Sequence, residues 1–171
     1  LGGDTATRLQ TWDAVRSLDV LASHPRVDPK RLASTGNSGG GTTTMFLSAV
    51  DDRLACAAPA CPNTENHALV RLNGPGSVDD AEQCILDGPS KTIDRWDLLY
   101  PLAPKPLLIL VSARDWFGTY SPDYLTNGRA EFARLQTFYK TLGANVDNLQ
   151  WYESPLPHGL GRQLERLRDP R

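Results

Sequence analysis

The pentapeptide Gly36-Asn37-Ser38-Gly39-Gly40 has the clearest chemical potential in this sequence, because it sets a serine among glycines in the pattern G-x-S-x-G. A serine on a tight strand-to-helix turn points its hydroxyl outward, and such a turn strains any residue that carries a Cβ. Gly36 and Gly40, two positions either side of Ser38, remove the side chains that would clash. A serine hydroxyl attacks poorly until a base takes its proton, and an imidazole serves best when a carboxylate fixes its tautomer. Asp115 and His158 can supply that pair, each in a loop following an apolar run, in the order serine, acid, histidine. The helix expected after Ser38 aims its first amides, Gly39 N–H foremost, at a developing oxyanion. The expected site therefore has Ser38, Asp115 and His158 as catalytic residues, Gly39 as oxyanion donor, and Asn37, Trp116 and Phe117 beside the substrate. Ser38 Oγ is expected near one ring nitrogen of His158 and Asp115 near the other.

The remaining polar groups have plainer readings. His24 lies in a solvent-facing connection and His67 in an irregular stretch, so both read as ordinary surface or loop residues. Glu65, after the preceding strand, is the alternative acid. The pairs Asp51/Asp52 and Asp79/Asp80 are adjacent in sequence and do not face each other as a general acid and base would, so they read as turn and cap residues. No Gly-Lys-Ser/Thr follows the glycine cluster, which argues against a phosphate-cradling loop. Cys56, Cys61 and Cys84 with three scattered histidines match no zinc spacing, so neither a metal nor a cofactor is expected. The thiols read as buried and free, with a Cys61 to Cys84 bridge as the alternative.

Apolar periodicity supplies the elements that must hold these residues. A helix is expected over 5–23, with Leu9, Trp12, Val15, Leu18 and Ala22 on one face and Asp4 or Thr5 as N-cap. Strands are expected over 31–35, 54–58, 107–111 and 149–153. Between them come a helix over 42–50, an irregular insertion at about 63–94 and a helical turn over 94–100. Phe132, Leu135, Phe138, Tyr139 and Leu142 share a helical face that Gly143 closes with a left-handed cap, and a last helix is expected over 162–168. This alternation argues for an α/β fold, a parallel sheet with helices on both faces.

The composition fits one such domain: 171 residues, 40% hydrophobic and 22% charged, leave room for one core and not two. A formal net charge of -2, with no Lys or Arg cluster, gives no footprint for nucleic acid or an anionic membrane surface. The apolar run 107–111 falls far short of the roughly 20 residues a spanning helix needs.

With Ser38, Asp115 and His158 in that order, the sequence resembles the α/β-hydrolase superfamily. Within it, Asp79-Asp80-Ala81-Glu82-Gln83, Ala113-Arg114-Asp115-Trp116-Phe117 and Pro157-His158-Gly159 look like bacterial acetylxylan-esterase-like proteins, the likeness running over residues 8–159. The resemblance implies a serine-dependent carboxylic ester hydrolase, often acting on acetylated plant polysaccharide such as xylan. A prolyl-oligopeptidase-type serine peptidase shares this part of the fold and the residue order, and a non-catalytic remnant or binding module would keep the residues without the chemistry. The superfamily places several strands before the nucleophile strand, with a loop that gives a second oxyanion donor, whereas one helix precedes it here. The expectation is a truncated α/β-hydrolase fold lacking the N-terminal strands. Such a chain would depend on an N-terminal fragment or on self-association, and would be weak or inactive alone.

Overall fold

A computed structural model describes residues 5–62, 83–85, 93–115 and 124–159. Helix α1 (Ala6–Ser23) opens the described chain, and the Thr5 side chain caps it by accepting from Arg8 N–H at 3.1 Å. Four strands follow, β1 (Leu32–Asn37), β2 (Leu54–Ala60), β3 (Leu107–Arg114) and β4 (Leu149–Pro157). Helix α2 (Gly39–Val50) joins β1 to β2, a 3₁₀ helix (Arg95–Leu102) precedes β3, and α3 (Tyr124–Thr141) lies between β3 and β4. All pairings are parallel and the strand order is β1-β2-β3-β4. Right-handed crossovers between parallel strands in sequential order bring their connecting segments to the same face of the sheet. The core agrees: Leu107, Ile109 and Val111, alternate residues of β3, share one cluster with Leu18 of α1, Met45 and Leu47 of α2, Leu99 of the 3₁₀ helix, and Leu135 and Tyr139 of α3. Each such aliphatic side chain contributes about 1.5–3 kcal/mol by leaving water.

Local chemistry sets where the elements end. The run 54–58 extends to Ala60 straight through Pro59. Ala57 N–H donates to Pro106 and Cys61 N–H to Leu110, so Pro59, having no N–H, leaves out one rung of that ladder and the strand survives. In the 3₁₀ helix the Asp94 side chain accepts from the backbone while Asp97 reaches back to Asp94 N–H at 2.7 Å, a reciprocal cap. Helix α3 starts at Tyr124, well before its first expected apolar residue, Phe132. Gly143 at φ 67° turns the chain so that Ala144 N–H donates to Tyr139 C=O, 3.0 Å, at the helix end. The Tyr139 hydroxyl donates to Lys105 C=O at 2.7 Å, and burial pushes its pKa up to about 12, so it remains a donor throughout the neutral range.

Two expectations change. Leu9 and Trp12 are 55% and 58% exposed rather than buried, and only Thr7 and Leu18 of α1 are fully covered. Among the described residues nothing lies over that half of the apolar face, although the Arg16 guanidinium sits 4.4 Å from the Trp12 ring centroid. Cys56, Cys61 and Cys84 are unbridged, as expected, but only Cys61 is fully buried; Cys56 and Cys84 are half-buried. Of the insertion at about 63–94, residues 83–85 and 93–94 are described. Gln83 is buried against α2, accepting from the Thr42 hydroxyl at 2.8 Å. The helix expected over 162–168 lies outside the described residues. No described helix is long and apolar enough to cross a membrane.

Candidate active site

Ser38 joins β1 to α2 with φ 59° and ψ -121°, a backbone conformation that L-residues rarely adopt. Its C=O accepts the first helical bond, from Thr42 N–H at 3.0 Å, and its N–H donates to Ala60 C=O across to β2, also 3.0 Å. Both backbone groups are thus fixed. Serine at a helix N-cap ordinarily turns its hydroxyl onto the first-turn amides. Here it makes no such cap, so the strained turn leaves the oxygen uncommitted.

Close packing makes the turn possible. A Cβ on Gly36 would lie 2.6 Å from the Gly40 carbonyl carbon, and one on Gly41 would lie 2.4 Å from Ala60 O. A Cβ on Gly40 meets nothing within 4 Å. The steric demand therefore falls on Gly36 and Gly41 rather than on Gly36 and Gly40, because Gly41 is the residue whose inner face meets the end of β2.

Asp115 and His158, after β3 and at the end of β4, are brought together at the same edge of the sheet as this turn, where adjacent parallel strands end side by side. His158 Nδ1 lies 2.7 Å from Asp115 Oδ2, and the Asp115 side chain is only 1% exposed. A carboxylate can only accept, so Nδ1 carries the hydrogen, and the neutral ring then presents its lone pair at Nε2. That lone pair accepts from Asn37 Nδ2 at 3.2 Å, one residue before Ser38. The ring is held in the tautomer that a general base requires, against the residue that precedes the serine.

The hydrogen bond expected from Ser38 to His158 is not formed; Asn37 holds Nε2 instead, and its own Oδ1 is buried without a partner. One rotation about the Ser38 Cα–Cβ bond separates staggered wells for the hydroxyl, a smaller change than moving the anchored imidazole. Gly39 is the first residue of α2, whose opening amides have no partner within the helix. Trp116, Phe117, Glu65 and His67 lie outside the described residues.

Sequence reasoning missed one neighbour. Cys61, at φ 42° just past β2, is fully buried and places Sγ 3.2 Å from Ser112 Oγ. Cys61, Asp115 and His158 each bring a ligand-type atom within 4.8 Å of the others. These residues are far apart in the chain, so no local spacing could have announced the cluster.

The sequence model of the acetyl xylan esterase (AXE1) family matches residues 8–71, which include the Ser38 turn. "Putative hydrolase YtaP" of Bacillus subtilis (strain 168) is 26% identical over 116 residues, 67% of this chain and 38% of that protein. Among solved structures, Methylesterase BT1017 matches with a TM-score of 0.66 and 25% identity over 95% of this chain and 34% of its own. A CE15 glucuronoyl esterase from Teredinibacter turnerae T7901 matches with a TM-score of 0.70 at 18% identity, over 95% of this chain and 45% of that one. The chain thus spans less than half the length of each of these relatives. Parallel strand order, the crossovers between strands and the structural matches make the chain part of an α/β-hydrolase fold, similar to that of esterases.

Proposed function

We propose that this chain is the serine-bearing part of a carboxylic ester hydrolase that removes acyl groups from a carbohydrate, acetylated xylan being the substrate class the AXE1 match favours. The observation that supports it best is an imidazole whose Nδ1 is tied to a buried carboxylate and whose Nε2 is held by Asn37, the residue before the uncommitted hydroxyl of Ser38. In the reaction, Ser38 Oγ takes the place of the Asn37 amide at Nε2 and attacks the ester carbonyl as its proton passes to His158. The tetrahedral oxyanion faces Gly39 N–H at the start of α2. His158 then gives the proton to the departing sugar hydroxyl, leaving acyl-Ser38, and water activated by the same nitrogen releases the acid. Asp115 stays ionised throughout and stabilises the imidazolium without taking the proton. Trp116 and Phe117, next to the acid in sequence, are proposed to face the acyl group.

The test is labelling with a fluorophosphonate probe followed by peptide mapping, together with hydrolysis of p-nitrophenyl acetate and of a proline p-nitroanilide. The expected result is a label on Ser38, acetate ester cleaved in preference to the anilide, and both lost in Ser38→Ala. An unlabelled Ser38, with hydrolysis equal to that of Ser38→Ala, would make the chain a non-catalytic module.

A further inference from the structure

The environment of Cys61 is more than a buried thiol packed in a core. Its sulfur, a carboxylate oxygen of Asp115 and a ring nitrogen of His158 all lie within 4.8 Å of one another. These are three different donor types, and the combination selects among cations. Thiolate and imidazole suit zinc and similar thiophilic divalent ions, whereas magnesium and calcium take oxygen donors almost throughout. Bonds of about 2.0–2.3 Å to a tetrahedral ion place its donors roughly 3.5 Å apart. The three side chains therefore need shifts on the order of 1 Å.

The charges balance as well. When the thiol gives its proton to solvent, a thiolate and a carboxylate offset a divalent cation, and the neutral imidazole lends a lone pair. The assembly carries no net charge, which suits a place where Cys61 is fully buried and the Asp115 side chain 1% exposed. Ser112, the present partner of the thiol, also donates to Pro157 C=O at 3.3 Å, so it keeps a hydrogen bond when the sulfur turns to a metal. His158 is 17% exposed in its side chain and gives the ion its way in.

We propose that Cys61, Asp115 and His158 form a site for a zinc-class cation whose occupancy switches off the proposed esterase. Cation and base exclude each other whichever ring nitrogen binds. Coordination through Nδ1 breaks the bond to Asp115, and coordination through Nε2 removes the lone pair that Ser38 needs. The binding half of the proposal stands on the donor cluster alone, and the inhibitory half rests on the esterase reading.

The experiment titrates the purified chain with Co²⁺ as a spectroscopic stand-in and with Zn²⁺ by calorimetry. Expected are one ion per chain, a near-ultraviolet thiolate-to-cobalt band, and at least a tenfold loss of affinity with disappearance of the band in Cys61→Ser. Cys56→Ser and Cys84→Ser should keep both. In the wild-type chain, zinc should slow alkylation of Cys61 at least tenfold by peptide mass spectrometry, a readout that needs no variant to fold. The ratio of p-nitrophenyl acetate hydrolysis without and with zinc should fall to one in Cys61→Ser. A band that survives Cys61→Ser, or wild-type Cys61 alkylated equally fast with and without zinc, overturns the site. Cobalt held through Cys61 in a chain whose Ser38 is inert keeps the site and refutes the esterase; an active esterase with no cobalt band does the reverse.

Discussion

At Ser38 one dihedral angle decides what the hydroxyl can do. With φ at 59° the residue still starts α2 through its carbonyl, yet its side chain is turned away from the capping position. The turn is sustained by two close approaches, Gly36 onto Gly40 and Gly41 onto Ala60. Gly41→Ala should therefore destabilise the chain by about 1–3 kcal/mol, since the added methyl meets a backbone oxygen that cannot rotate away. Gly40→Ala should be neutral or raise stability by about 0.5–1 kcal/mol, because it adds helix propensity into open space. Urea midpoints compare the two directly, and equal losses would show that the turn, and not the contact at Ala60, sets the demand. Asp115→Asn leaves the shape and removes the charge that fixes the tautomer of His158. Ester turnover should fall by about 10⁴ with little change in unfolding midpoint, as expected when the ring is kept but its proton is on the wrong nitrogen.

Between elements, a small charge cluster holds α1, α2 and β2 in register. Arg53, just before β2, donates to Asp51 at the end of α2 and to Asp19 of α1, the latter at 2.7 Å. The Arg53 guanidinium holds the Asp51 carboxyl below the usual carboxylate range, against a smaller opposing effect of burial. A carboxyl with a lowered folded pKa stabilises the fold above its unfolded pKa of about 4 and loses that contribution as pH falls through the folded value. Asp51→Asn should accordingly lower the melting temperature at pH 7 and approach the wild-type value near pH 2–3. A difference that persists undiminished at pH 2 would mean that Asp51 acts through packing and backbone bonds, not charge. The same cluster ties Asp19 of α1 beside the buried Leu18, while Leu9 and Trp12 on the same helix remain uncovered.

Across the whole molecule, uncovered apolar surface and an open sheet edge occur together. Leu9, Trp12, Val20, Leu21 and Val50 are all more than two-fifths exposed. β1 pairs on one side only among the described residues. An unpaired strand edge beside apolar side chains favours association with another polypeptide. The chain alone should self-associate with rising concentration in sedimentation velocity, and Leu9→Glu with Trp12→Glu should weaken that association, since neither side chain is buried. Its turnover on p-nitrophenyl acetate should lie at least about 10²-fold below that of a hydrolase with both oxyanion donors. Supplying the remaining strands in trans should raise it. A monomeric chain with full turnover would require an oxyanion donor besides Gly39.

Read alone, the sequence determined the residue types and the order of elements. G-x-S-x-G between a strand and a helix, an aspartate after 107–111 and a histidine after 149–153 are local facts, set by hydrophobic period and by glycine and proline. Ser38, Asp115 and His158 could be singled out for that reason, and the sheet could be called parallel. Tertiary structure decided everything that depends on one segment approaching another. It put Asn37 rather than Ser38 on Nε2, moved the steric demand from Gly40 to Gly41, and left half of α1 without cover. It carried β2 through Pro59, where only one rung of the ladder was missing, and brought Cys61 to the Asp115 and His158 side chains. The physical reason is common to all of these: periodicity records which residues leave water, while contacts between residues distant in sequence are fixed only when the strands line up and their ends meet at one edge of the sheet.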